Sequence, residues 1–211
     1  MKYDKEIAAH VIKNIALIES SIKVLANIEN LLLKATDKFI EKQVKASDLK
    51  LGKDNLFNLM GDYDCYFSTE AWEAGAKEHC AWYHVGFHAV DEDDLYFLTH
   101  VLGESGQNTK LHLQFAISWS ELDIKKNVFK TLLRNEFEKN VALHDTGFML
   151  SEDGQRIELV FHLDKEQVAE EYPHFDECFA PLKQTLESVF EAHPIFEKIV
   201  ENIKQQAETS K

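Results

Sequence analysis

The sequence predicts an α+β fold in which an antiparallel sheet of five or six strands is packed by a long N-terminal helix and by C-terminal helices. Three observations carry this. Apolar residues recur at helical spacing through the first 40 residues, they alternate singly with polar ones in several runs between residues 63 and 163, and helical spacing returns after residue 164. The strand-like runs are joined by turns too short for parallel crossovers, which need about a dozen residues or more. The 211-residue chain reads as a single α+β domain: a long N-terminal helix (1–45), a mainly antiparallel sheet with one inserted helix (62–163) and closing helices (164–206).

The first helix follows from Val11, Ile15, Ile18, Ile22 and Leu25, which step by four, three, four and three, with Leu17, Val24, Ile28, Leu31 and Ala35 widening the apolar face. The phase is kept through Ser20 and Ser21, so these are surface positions and not a break. The pattern runs on through Leu32, Phe39 and Ile40. At ~1.5 Å per residue such a helix would be about 55 Å long, more than a compact domain of this size needs. Either it bends after about residue 28 or part of it packs against another chain. Lys34, Lys38, Lys42 and Lys45 share a face of its second half, with Glu41 and Lys45 an i,i+4 pair, and this face reads as solvated.

The period then changes to two. Tyr63, Cys65 and Phe67 alternate with Asp64, Tyr66 and Ser68, and the segment 71–77 reads as a short helical turn carrying Trp72. From Ala81 to Val90, Tyr83, Val85, Phe87 and Ala89 form one face, with Trp82, His84, Gly86 and His88 on the other. Asp91 to Asp94 forms its turn, and Leu95 to Leu102 a return strand. After a loop, Leu111, Leu113, Phe115, Ile117 and Trp119 alternate with His112, Gln114, Ala116 and Ser118. A helix from about Glu121 to Lys139, with Asp123 in its first turn, precedes strands at Gly147–Leu150 and Arg156–Leu163, which are joined by a turn at Asp153-Gly154. Asp164 caps a short helix that Pro173 ends, Pro181 fits the first turn of the next, and Pro194 opens the last, whose buried face is Phe196, Ile199, Val200 and Ile203.

Composition sets bounds. A 45% hydrophobic, 11% aromatic chain has the material for a packed core. The charged start and the absence of ~18 consecutive apolar residues predict a soluble chain without signal peptide or membrane span. Three cysteines, Cys65, Cys80 and Cys178, with no C-x-x-C pair, fit a reducing cytoplasm and core positions. The formal charge of −14 is unevenly spread: residues 1–53 hold ten Lys against seven acidic groups, leaving 13 basic against 30 acidic groups in residues 54–211. An acidic body excludes bulk coating of nucleic acid, and direct nucleic-acid binding is not expected.

Candidate chemistry centres on histidine. His84, His88, His112 and His162 fall on polar strand faces, and neighbouring strands would bring them together with Glu158, Gln114 and Trp82. Imidazole nitrogen with carboxylate oxygen suits a divalent ion such as zinc or iron, which makes His84, His112, His162 and Glu158 the candidate metal residues. His84 and His88 lie about 13 Å apart along one strand and cannot share an ion without a bulge. There is no G-x-S-x-G elbow, no G-x-G-x-x-G and no Walker loop, and His79 and Cys80, as strand neighbours, point to opposite faces. Trp82 and His88, with the carboxylates Asp91, Glu92, Asp93 and Asp94, mark a candidate partner surface. The resulting expectation is a non-enzymatic cytoplasmic binding protein without cofactor, acting through its acidic body or sheet surface, with a basic protein partner and a homodimer through the N-terminal helix. Two alternatives stand beside it: a metal-dependent hydrolase using the histidine face with Glu158 as general base, and an acidic mimic of nucleic acid that inhibits a DNA-binding protein.

Overall fold

Helix α1 (Lys5–Lys13) and helix α2 (Ile15–Ala46) open the chain in the computed structural model, which describes residues 5–59, 64–74, 78–87, 98, 102 and 111–209. Strands β1 (Leu56–Asn58), β2 (Asp64–Phe67), β5 (Ala81–Phe87), β6 (Leu111–Ile117), β7 (Met149–Leu150) and β8 (Arg156–Phe161) form a six-stranded sheet in the order β1-β2-β5-β6-β8-β7. Every pairing in it is antiparallel, as the short turns predict. A 3₁₀ turn, Glu70–Trp72, carries Trp72 and leads into a small hairpin of β3 (Glu73–Ala74) and β4 (Glu78–His79). Helices α3 (Lys126–Lys139) and α4 (Val141–Asp145) precede β7, and α5 (Lys165–Glu171) and α6 (Ala180–Thr209) close the chain.

Backbone direction along the central strands follows from two bonds. Ser118 N–H donates to the Cys80 carbonyl at 2.8 Å, so the even-numbered residues of β6 bond toward β5 and the odd-numbered ones toward β8. Ser151 N–H donates to the Arg156 carbonyl at 2.9 Å, so the even-numbered residues of β8 direct their N–H and C=O groups to the β7 side.

The inner face of the sheet is apolar. Cys65, Phe67, Tyr83, Val85, Leu113, Phe115 and Ile157 are buried there, against Leu182, Leu186, Val189, Phe196 and Ile199 of α6 and against Leu32, Leu33, Ile40 and Val44 of α2. The Phe196 ring stacks 4.4 Å from Phe115 and meets Phe148 edge-on at 5.4 Å. Glu136 of α3 ties that helix to α6, accepting from Asn202 Nδ2 at 2.8 Å and from Lys139 Nζ at 2.7 Å. Asp164 caps α5 through the N–H groups of Glu166 and Gln167, as its position predicts, and the Glu41–Lys45 pair forms at 2.6 Å.

Four expectations are corrected. The long N-terminal helix breaks at Asn14 and not after residue 28. There the Asn14 side chain donates to the His10 carbonyl at 2.9 Å, while Ser20 and Ser21 stay inside α2 by bonding the carbonyls four residues back. The inserted helix starts at Lys126 and not at Glu121, because Asp123 adopts φ +53° and a left-handed residue cannot propagate a right-handed helix. Pro194 lies inside α6 and does not open a new helix. An interior proline costs about 3 kcal/mol, but the side chains α6 buries on either side of it each contribute about 1.5–3 kcal/mol, and they share one wall of the core. The return strand fails at Leu98 and Leu102, where Leu102 N–H donates to the Leu98 carbonyl at 3.1 Å in a helical turn; β2 and β6 take the two edges of β5. The rest of that segment lies outside the described residues.

Just before Pro194, His193 Nδ1 lies 2.8 Å from the buried Tyr83 hydroxyl and its Nε2 faces Glu197 at 3.4 Å; a proton on Nε2, toward the carboxylate, leaves Nδ1 to accept from the phenol. Burial, followed by the Glu197 charge, pushes the Tyr83 phenol well above its ordinary value, so it stays protonated. Burial likewise lowers the His193 pKa, with Glu197 opposing. Folding therefore favours neutral His193. Its contribution to stability is complete above an unfolded pKa of about 6.5 and is lost as pH falls through the lower folded value. His193→Asn keeps an acceptor for Tyr83 and removes the titration. Urea midpoints measured from pH 8 to pH 5 are expected to fall less steeply for this variant than for the parent.

Candidate functional site

The outer face of the sheet brings together His84, His112, Gln114, Glu158 and Trp82 of the residues singled out in the sequence. Cross-strand register sets Tyr66, His84, Gln114, Glu158 and Met149 in one row across five strands. The adjacent rows hold Gly86, His112 and Val160 on one side and Trp82, Ala116 and Arg156 on the other. Side chains at i and i+2 share a face, so Gln114 also lies beside His112.

Gln114 is the centre of the arrangement. Its amide nitrogen lies 2.6 Å from His112 Nε2 and 3.1 Å from Glu158 Oε1, so each of its two hydrogens meets an acceptor. The opposite amide orientation would set its carbonyl oxygen against the Glu158 carboxylate. This fixes His112 as the Nδ1–H tautomer with its Nε2 lone pair engaged. His112 and Gln114 are buried, while Glu158, His84 and Trp82 are half-buried. The His84 ring folds along its own strand over Gly86, where an added Cβ would lie 2.5 Å from His84 Cε1.

The other expected positions are set apart. His162 lies beyond the end of β8, exposed at the sheet margin. His88, Asp91, Glu92, Asp93 and Asp94 lie outside the described residues. Among the described residues no three His, Cys, Asp or Glu side chains are placed to hold one metal ion. A cation at His112 Nε2 would have to displace the Gln114 amide.

Nucleophilic groups are sequestered. Cys65, Cys80 and Cys178 are free thiols and fully buried. Burial, followed by the Glu171 carboxylate, pushes the Cys178 thiol up to about 12, so it stays protonated through neutral pH.

A second polar cluster lies at the β2–β4 corner and gives no sequence signal beyond the residue types. Ser68 Oγ and both His79 ring nitrogens are buried with no hydrogen-bond partner among the described residues. Gly52 packs against them: a Cβ there would sit 2.9 Å from His79 Cε1 and 3.0 Å from Ser68 Oγ. Its loop is held by Gly52 N–H to the Ser68 carbonyl at 3.0 Å and by Asn55, which accepts from Ser68 N–H at 2.9 Å.

Two outcomes are expected. Gly52→Ala forces the His79 ring aside and lowers stability by about 1–3 kcal/mol in urea unfolding. Gln114→Leu removes the donor that His112 and Glu158 share and lowers stability by a similar amount, about 1–3 kcal/mol. One equivalent of Zn²⁺ leaves the melting temperature of the parent unchanged in a thermal scan; a clear rise would return the histidine face to metal chemistry.

No family model matches the chain, and neither a curated protein nor a solved structure is found to resemble it.

Proposed function

We propose that this chain acts by binding and not by catalysis, as a homodimer in which two copies of the N-terminal helix pair through their apolar stripe, leaving the acidic body to engage a basic protein. The observation that carries this reading is the exposure of that stripe. Leu32 is the first buried residue of α2; before it Ile15 and Ile22, on the stripe that would pair, are each 50% exposed, and Ile12, Leu17 and Val24, off that stripe, are more open still. Ile12, the most open, is 73% exposed. Beyond the break at Asn14, the stretch of α2 from Ile15 to Ala26 extends about 18 Å at ~1.5 Å per residue before Asn27 meets the Tyr172 hydroxyl at 3.1 Å.

Such a segment does not stand well alone. Seven of residues 5–26 are Ile or Val, whose branched Cβ lowers helix propensity, and isolated helices of this length are marginal in water. Val11, Ile15, Ile18, Ile22 and Leu25 follow the four-three spacing of a coiled-coil seam, with Ile15 and Ile22 at one seam position and Val11, Ile18 and Leu25 at the other. Charge favours a second copy as the occupant. Residues 5–30 carry three Lys and three Glu, so the arm is neutral while the body after residue 54 is strongly acidic. Two arms can meet without the repulsion that two bodies would feel.

No helix among the described residues is long and apolar enough to cross a membrane. Sedimentation is expected to give twice the 24.3 kDa chain mass. The double substitution Ile15→Asp with Ile22→Asp is expected to give monomer with an unchanged near-UV spectrum, because neither side chain touches the core. A parent protein that stays monomeric at about 100 μM, or a double variant that still dimerises, defeats the reading.

A further inference from the structure

The geometry points to a second docking site, independent of the helix: the outer edge of β8, where an extended basic peptide adds as a further strand. The edge is left open by an early stop in β7. Met149 and Leu150 pair with Glu158 and Ile157, and continuing that ladder would set Gly147 opposite Val160. Gly147 instead takes φ +88° and gives its N–H to the His144 carbonyl at 3.0 Å, so the chain turns away. Phe148 follows it, donating to the Leu143 carbonyl at 3.0 Å.

Val160 is even-numbered, so its N–H and C=O face away from β6, and among the described residues no strand lies opposite them. They open into a groove of about 270 Å³ lined by Thr146, His162, Gln184, Thr185 and Ser188 as well as Val160. One wall of the groove is therefore strand backbone and the other is the first two turns of α6. A free strand edge recognises main chain, and alternate side chains supply selectivity. From Val160 to His162, one residue past the end of β8, the edge is about 7 Å long, room for Val160 to exchange one N–H and one C=O bond with a facing peptide residue. Peptide side chains turned toward α6 meet the Gln184 amide and the Ser188 hydroxyl, with the Thr185 hydroxyl already donated to the Pro181 carbonyl at 3.0 Å, which favours short polar residues there. Side chains turned outward meet a body with 30 acidic against 13 basic groups in residues 54–211, which favours Lys or Arg.

The test uses the full chain and an eight-residue peptide of alternating Thr and Lys. Titration followed by amide NMR is expected to shift and protect the Val160 and His162 N–H groups. The same peptide with N-methylated Thr loses binding, because main-chain donors are gone, and a Thr–Glu version binds at least about tenfold more weakly. Val160→Pro removes only the outward donor at an edge position and weakens binding about tenfold. Gln184→Arg, on the exposed surface of α6, does the same by filling and charging the groove, and it guards against a folding defect in the proline variant. The inference is overturned if no shift appears at about 1 mM peptide, if the N-methylated or Glu peptide binds as well as the parent, if the shifts map elsewhere, or if Gln184→Arg binds normally. A change in solution mass on Val160→Pro would also overturn it, by assigning the edge to a second copy of the chain.

Discussion

Strand β6 shares its even-numbered backbone groups with β5 and its odd-numbered ones with β8, and nearly everything else depends on that double commitment. A slip of one residue against either neighbour would turn Leu113 and Phe115 out of the core and bring His112 and Gln114 into it. The pairing therefore decides two things together: which side chains meet Phe196 of α6, and which polar groups are collected on the opposite face. All seven β6 residues are buried, so neither face tolerates the wrong set. The Gln114 contacts to His112 and Glu158 add a polar check on the same register.

Much of this was legible in the residue order because it is local. Alternation found the starts of β5, β6 and β8 and the ends of β6 and β8 to within two residues, and the polar face of those strands already named His84, His112, Glu158 and Gln114. The α5 cap was legible because Asp164 and the N–H groups it accepts are separated by only two and three residues. Other features depend on partners far along the chain. Tyr83 and His193 are 110 residues apart, so neither announces the other, and the continuity of α6 through Pro194 depends on a core wall that no window of sequence contains. Strands of two or three residues, such as β1, β3 and β4, are too short to show a period. Asp123 misleads in the opposite sense. Its side chain suits a helix start, yet its left-handed backbone delays the helix until Lys126.

The two proposed contact surfaces divide the labour between chemistry of different reach. An apolar seam on a neutral arm acts only at contact and is indifferent to salt. An open strand edge set in an acidic body draws its partner from a distance and weakens as ionic strength rises. A protein using both can hold its own dimer constant while its association with a basic segment follows solution conditions.

The three buried thiols carry one more consequence. Cys65 sits on β2, Cys80 at the entry to β5 and Cys178 in the 3₁₀ turn before α6. None can meet a reagent unless its own stretch of chain opens, so each alkylation rate reads the opening of a different layer: the outer sheet, the sheet centre and the helix wall. The native sequence thus contains three internal clocks for local unfolding, with no label to be engineered.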